Sequence, residues 1–203
     1  MSKSEHNTQQ RLLAPQRVDP IRLRELLATW LVERRHPFIE VESQAFTNFV
    51  EYLNPLAVNK LPKSGNTCRA DIMKCFQSTK SIVKESLRSA RSRIHLSFDL
   101  WISPNYKAIL AIVGHWTNSE YKVEIATLGM RVILGEHKGV DLTPVLLEVI
   151  KEYEIKDKLG WFMSDNAGNN DIALRNLNEL LQEEGGQGFD IDERRLRRLG
   201  HIV

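Results

Sequence analysis

Cysteine is scarce in this sequence, and its scarcity excludes a disulfide-stabilised scaffold. The 203 residues include two cysteines, Cys68 and Cys75, which lie seven positions apart in a segment with helical periodicity. That separation along one helix is too large for a disulfide between them. No CxxC or HxxxH pattern completes a zinc site. The cysteine content therefore favours a reducing compartment.

Long apolar runs are also missing. The longest is AILAIVGHW, which is far shorter than the roughly 18 apolar residues that a membrane span needs. The polar N-terminus lacks the apolar segment of a signal peptide. Together these absences predict a soluble intracellular protein without a membrane segment.

A strong excess of basic residues is the third absence. The formal net charge is +2 at pH 7, whereas a dedicated DNA-binding domain is usually far more basic. Overall charge therefore gives no argument for nucleic-acid binding. Any contact with DNA must come from local basic patches.

Helical periodicity dominates the first part of the chain. Residues 1–19 are polar and mixed in charge, and we interpret them as a disordered segment or a linker. From Pro20 onward, apolar residues recur at helical spacing in three amphipathic segments. The third segment has Asn66 or Thr67 as its predicted N-cap. We assign residues 20–92 to an α-helical segment.

The periodicity then changes from about 3.6 to about 2, which is typical of strands. The segments RIHLSFDLW, YKAILAIVGHWT and SEYKVEIATLGMRVI predict a three-strand antiparallel meander. A helix with Asp141 or Thr143 as its cap, a fourth strand ending at Asp165 and a helix over residues 169–182 follow. This order matches the ribonuclease H-like fold. Residues 93–203 are therefore predicted to be the N-terminal part of such a domain, and the fold class is α+β to α/β.

Two aspartates occupy positions at which that fold would bring them together. Asp99 lies on the polar face of the first strand, and Asp165 directly follows the fourth strand. These strands are neighbours in the fold, so the carboxylates can converge. Phosphodiester cleavage with divalent metals uses oxygen ligands that hold two cations roughly 3.5–4 Å apart, and Mg²⁺ prefers carboxylates. Each aspartate taken alone is more often a turn residue; the order of elements favours the metal site.

Two motifs that contain these acids resemble the signature of hAT-superfamily DNA transposases, in particular the fungal, BED-finger-associated branch. They are LSFDLWISPN and MSDNAGNND. The helical segment is also similar to the region before the catalytic core of that family, so the resemblance covers roughly residues 26–203. It implies that Asp99 and Asp165 are the first and second catalytic acids and bind Mg²⁺ or Mn²⁺.

The resemblance further implies that residues around the two acids shape and support the metal site. They are Trp101, Ser103, Pro104, Asn105, Asn166 and Asn169. The closing RLRRLGHIV is similar to a family motif in which a cysteine and a histidine recur three residues apart. His201 matches that histidine and is a further supporting residue. Arg198 stands where the cysteine is expected, which is a departure from the motif.

Other parts of the family are expected outside this sequence. The resemblance implies a zinc-binding BED domain before residue 1, and a helical insertion, a catalytic glutamate and a dimerisation region after residue 203. We therefore interpret the chain as a transposase fragment with two of three catalytic acids. The expected location is the nucleus, the expected partner is DNA, and a homo-oligomer is expected only for the full-length form. Alone, the chain should bind divalent metal weakly and should not transpose.

Two alternatives remain open at this stage. One is a non-catalytic, transposase-derived remnant that keeps the fold for contacts with DNA or protein. The other is an unrelated ribonuclease H-like nuclease whose third acid lies elsewhere in the chain.

Basic residues near the end of the chain are candidate contacts for DNA phosphates. They are Arg194, Arg195, Arg197 and Arg198. A solvated basic tail explains them equally well. The glutamates Glu179, Glu183 and Glu184 are interpreted as a solvated helix face, and His95 as a weak neighbour of the site.

Overall fold

The computed structural model describes residues 17–133 and 139–197. Two compact units divide the chain, residues 1–80 and residues 81–203. Most of the predicted N-terminal linker lies outside the described residues. Among the described helices, none is both long and apolar enough to cross a lipid bilayer.

The first unit is helical, as its periodicity predicted. Its first helix, α1 (Pro20–Glu33), begins where Asp19 accepts hydrogen bonds from the backbone N–H groups of Ile21 and Arg22. A proline is suited to this first position because it has no N–H to satisfy. The elements that follow are a 3₁₀ turn (Phe38–Glu42), α2 (Gln44–Leu53), α3 (Pro55–Val58) and α4 (Gly65–Arg88).

The cap of α4 differs from the prediction. Ser64 Oγ accepts a hydrogen bond from the backbone N–H of Thr67 at 3.2 Å. Ser64 therefore occupies the capping position, and the prediction of Asn66 or Thr67 is wrong. The N-terminal part of α4 supplies Cys68 to a small core that also contains Leu27, Leu31 and Val41.

A five-strand sheet with the order β3-β2-β1-β4-β5 organises the second unit. The strands are β1 (Ile94–Ile102), β2 (Ala108–Thr117), β3 (Val123–Ile133), β4 (Leu159–Ser164) and β5 (Arg195–Arg197). The first three form the predicted antiparallel meander, and β4 is parallel to β1. The predicted fold class is therefore confirmed. The sequence analysis missed β5, because a three-residue strand with two arginines carries no alternation of apolar and polar residues.

Helices cover one face of this sheet. They are α5 (Gly139–Glu152), α6 (Gly168–Glu183) and the short α7 (Ile191–Arg194). Burial alternates along β1 and β2, and the inward residues share one apolar core with the helices. Fully buried members of that core include Leu96, Ile112, Leu146, Ile150, Leu174 and Phe162.

The start of α5 also differs from the prediction. In the described residues the helix begins at Gly139, so Pro144 lies inside the helix and the predicted cap at Asp141 or Thr143 is wrong. Thr143 instead donates its hydroxyl to the backbone carbonyls of Gly139 (3.1 Å) and Ala173 (3.2 Å). The side chain therefore ties α5 to α6 across the core.

A polar network joins the C-terminal part of α4 to the β2–β3 hairpin. Ser86 donates to Glu124 Oε2 at 2.5 Å and accepts from the indole N–H of Trp116 at 2.9 Å. Asn118 donates to the other oxygen of Glu124 at 2.6 Å. The carboxylate thus satisfies three polar groups at this junction, directly or through Ser86.

Acidification should weaken this junction. Hydrogen bonds from Ser86 and then Asn118 hold the pKa of Glu124 below its ordinary value of 4.5. A carboxyl group with a lowered folded-state pKa stabilises the fold above its unfolded pKa, and this contribution is lost as the pH falls through the folded-state value. In urea titrations between about pH 5 and pH 3, Glu124→Gln should lose less unfolding free energy than the unaltered protein. Glu179→Gln, on an exposed part of α6, is the matched control and should follow the unaltered protein; identical profiles for all three proteins would refute the prediction.

Candidate metal site at the ends of β1 and β4

The parallel pairing of β1 and β4 brings the two candidate acids to the same end of neighbouring strands. Ser97 pairs with Met163, and Asp99 and Asp165 each lie two residues beyond that pair. Side chains alternate along a strand, so Asp99, next to the inward-facing Phe98, belongs to the face that the helices leave open, and Asp165 is the first residue after β4. Phe98 and Ser164, one residue earlier in each case, are buried, whereas Asp99 is exposed and Asp165 half-buried.

The carboxylate of Asp165 is held by the start of α6. Its Oδ1 accepts hydrogen bonds from the backbone N–H of Ala167 at 3.1 Å and from Asn170 Nδ2 at 2.5 Å. The first bond closes a turn typical of aspartate. The second comes from a side chain that is 6% exposed. The loop between β4 and α6 therefore fixes the orientation of this acid.

Asn170 is a site residue that the sequence analysis missed. The analysis selected Asn166 and Asn169 from the same motif, and both are exposed. A signal for Asn170 was present in the helical spacing. The buried residues of α6 are Asn170, Ala173, Leu174, Leu177 and Leu181. An amide on this otherwise apolar stripe requires a buried partner, and Asp165 is that partner.

Arg195 binds the backbone at the end of β4. Its guanidinium donates to the carbonyl oxygens of Ser164 (3.3 Å) and Asp165 (2.6 Å) and forms an ion pair with Asp171 at 3.0 Å. The Arg195 side chain is 5% exposed, whereas that of Arg197, which pairs with the same aspartate at 3.2 Å, is 61% exposed. Arg195, in β5, thus links α6 to the backbone of Asp165, the second candidate acid.

The other predicted DNA contacts differ in their surroundings. Arg194 donates to the carbonyl of Leu159 at 3.3 Å, and Arg197 is largely open to solvent. Arg198 and His201 lie outside the described residues. On α4, Lys84 and Arg88 both pair with Glu154.

The motif after the first acid forms the β1–β2 hairpin. The backbone N–H of Ser103 donates to the carbonyl of Lys107 at 2.8 Å, and Ser103 Oγ accepts from the N–H of Lys107 at 3.1 Å. Trp101 remains 37% exposed, and Pro104 and Asn105 are exposed in the turn. Ser103 therefore shapes the turn that follows Asp99.

The side chain of His95 accepts a backbone hydrogen bond where the pairing of β1 and β4 is irregular. The register shifts between Ile94 and Leu96, and the N–H of Trp161 donates to His95 Nδ1 at 3.1 Å. The imidazole also stacks on the Trp161 ring at 4.9 Å between centroids. A neutral ring nitrogen thus takes the place of a backbone acceptor at this bulge.

In the described part of the chain, no third candidate metal ligand joins the two aspartates. Within residues 17–133 and 139–197, no group of three or more His, Cys, Asp or Glu side chains could hold a metal ion. The described site therefore consists of two carboxylates and their hydrogen-bonded supports.

Comparisons with known proteins connect the chain to one group. A family model described as the ZBED1 RNase-like domain matches residues 97–188. A Zea mays protein named AC transposase is 26% identical over 183 residues, which cover 90% of this chain and 22% of that protein. A Talaromyces stipitatus protein named transcriptional regulator tpeD is 26% identical over 158 residues, 78% of this chain and 19% of that protein.

A rice protein, the zinc finger BED domain-containing protein RICESLEEPER 2 of Oryza sativa, is 23% identical over 159 residues. These residues cover 78% of this chain and 22% of that protein. No solved structure matches the chain. The chain spans about a fifth of the length of the curated relatives that it matches.

The two arginines that pair with Asp171 should contribute unequally to stability. Arg195→Met removes a buried guanidinium and leaves two backbone carbonyls without their donor, so we expect a loss of about 2–3 kcal/mol in the free energy of unfolding. Arg197→Met removes an exposed partner and should cost less than about 1 kcal/mol. Urea denaturation of both variants measures the difference. Equal losses would show that Arg195 does not fasten β4.

Protonation of His95 should weaken the β1–β4 junction. Burial and then the nearby His115 lower the pKa of His95 below 6.5, and the neutral ring is the form that accepts the hydrogen bond from Trp161. Its contribution to stability is therefore present above the unfolded pKa and is lost as the pH falls through the folded-state pKa.

The variant His95→Gln keeps an acceptor that does not titrate in this range. Between about pH 7 and pH 5, urea denaturation should show a smaller loss of stability for His95→Gln than for the unaltered protein. His36→Gln, in the first unit, is the control and should retain the full loss. A full loss in His95→Gln would contradict the assigned role of the neutral ring.

Proposed function

Since this chain is related to the hAT superfamily of DNA transposases, we propose that Asp99 and Asp165 are two of three acidic ligands in a metal site for DNA strand cleavage and transfer. The observation that carries the proposal is the parallel register of β1 and β4. In this pairing the two aspartates, which are distant in the sequence, lie at the same end of neighbouring strands, where Asp99 is exposed and Asp165 is half-buried. Their carboxylates would supply negatively charged oxygens at this end of the sheet.

Mg²⁺ or Mn²⁺ suits this set of donors. Both ions prefer hard oxygen ligands, and Mg²⁺ is commonly held by one or two carboxylates together with water and substrate phosphates. When bound, such ions activate the attacking water or 3′-hydroxyl and stabilise the leaving oxygen. Two residues of the chain hold Asp165 in place: Asn170 fixes its side chain and Arg195 fixes its carbonyl.

A third acidic ligand has no candidate next to this pair in the described residues. We therefore propose that the chain alone binds divalent metal weakly and does not transpose. Strand transfer by the purified chain that disappears in Asp99→Asn would overturn this part of the proposal.

The proposed partner is DNA, and the proposed location is the nucleus. Arginines suit phosphate contacts, which are largely Coulombic and independent of sequence, and Arg197 is exposed. We assign this role to Arg194, Arg197 and Arg198, and propose a positioning role for Arg195 because its guanidinium is buried and already engaged. A homo-oligomer is proposed only for a protein that has the full length of the relatives.

A second candidate function is a non-catalytic role in binding DNA or protein. It is favoured by the names of two relatives, which describe a transcriptional regulator and a BED zinc-finger protein. In such a protein the fold is retained while metal chemistry is dispensable. The two candidates differ in whether substitution of either aspartate changes metal binding or activity.

Metal binding by the purified chain tests the proposal. We expect Asp99→Asn and Asp165→Asn each to weaken Mn²⁺ binding by at least about tenfold, because each removes the charge of a metal ligand. Substitution of residues that only hydrogen-bond such ligands already weakens metal affinity by about tenfold or more. Titration calorimetry or electron paramagnetic resonance of free Mn²⁺ gives the dissociation constants. Asp157→Asn, at an exposed position of the 3₁₀ turn (Lys156–Lys158) that precedes β4, is the control. Unchanged Mn²⁺ affinity in both site variants would favour the non-catalytic function.

A further inference from the structure

We infer that Asn170 is a positioning residue of the metal site: it holds Oδ1 of Asp165, so that Oδ2 is the oxygen presented to a divalent cation. The inference rests on the proposed function for the choice of ligand. Its geometric part rests on the hydrogen bonds and burial of Asn170 alone.

Protein donors bind only one of the two carboxylate oxygens of Asp165 in the described part of the chain. Oδ1 accepts from both Asn170 Nδ2 (2.5 Å) and the N–H of Ala167 (3.1 Å). In the described part of the chain, Oδ2 accepts no hydrogen bond from a protein donor. One oxygen of the carboxylate is therefore occupied by the protein, and the other is available to a ligand outside it.

The burial of Asn170 makes a purely structural role a poor explanation of its amide. It lies on the stripe of α6 that otherwise buries Ala173, Leu174 and Leu177. A buried amide is costly unless it is hydrogen-bonded, and an apolar side chain would suit this stripe as well as its neighbours do. The bonds of Asn170 Nδ2 go to Asp165, at Oδ1 and, more weakly, at the carbonyl at 3.4 Å. The buried amide thus serves the acid.

Arg195 adds a second restraint on the same residue. It donates to the carbonyl of Asp165 at 2.6 Å while its charge is balanced by Asp171. The backbone and the side chain of the acid are therefore fixed by two independent buried groups. Ligands restrained in this way lose little freedom when a cation binds, and removal of such supports typically weakens metal affinity by about 10- to 100-fold.

The test compares Asn170→Ala with Asn178→Ala in the full 203-residue chain. Asn178 is a matched control: it lies in the same helix and accepts a hydrogen bond from the N–H of Phe189 at 2.7 Å, without contact to Asp165. Mn²⁺ is the probe, and the readouts are its dissociation constant and the melting temperature. Asn170→Ala should weaken Mn²⁺ binding by about 10- to 100-fold. Asn178→Ala should lower the melting temperature and leave the dissociation constant within about twofold.

A second measurement does not depend on metal or on the folding of the Asn170 variant. In the metal-free unaltered protein, the side-chain NH₂ protons of Asn170 should be protected from solvent exchange in NMR spectra. This protection should be lost in Asp165→Ala.

The outcomes distinguish failure of the inference from failure of the proposed function. Unchanged Mn²⁺ affinity in Asn170→Ala, equal weakening in Asn178→Ala, or an unprotected Asn170 amide would each overturn the inference. If the amide protons are protected but Asp165→Asn leaves Mn²⁺ affinity unchanged, the proposed function is overturned instead. Asn170 would then be a structural partner of Asp165.

Discussion

The parallel pairing of β1 with β4 is the constraint on which the second unit depends. Strand β1 already pairs with β2 on one side, so β4 can reach its other side only through a crossover, which α5 provides. The crossover buries α5 against the sheet and, through Thr143, against α6. The same pairing brings Asp99 and Asp165 to the same end of neighbouring strands. A change that loosened this ladder would therefore disturb the core and the candidate site together.

Polar groups in the core are concentrated near that ladder. Among the described residues, the polar residues that are buried as a whole are Thr143, Ser164 and Asn170, and the last two adjoin Asp165. Buried polar atoms need partners, and here the partners are the acid and the start of α6. Natural sequences depart from the rule of an apolar core mainly at functional sites. This concentration agrees with a site at the end of β4, and it does not depend on the family relationship.

Elements with strong periodicity were predicted correctly, and elements defined by their neighbours were not. The meander, α5, β4 and α6 each have a clear apolar pattern, so the sheet and its helices followed from the sequence. Strand β5 has no such pattern and exists because β4 offers a parallel edge. The cap at Ser64 was missed because several polar residues compete for a helix start. The predicted relationship to hAT transposases agrees with the comparisons.

The sequence alone determined the order of elements from β1 to α6, the two aspartates at strand ends and the motif that contains Asn170. Its alternation of apolar and polar residues sufficed, because burial of one face dictates that pattern. Only the tertiary structure decided which amide holds Asp165 and which arginine is buried. Asn166, Asn169 and Asn170 are alike as residue types, as are Arg195 and Arg197. Packing of α6 and β5 against β4 distinguishes them, since a side chain acquires its partner only when distant segments meet.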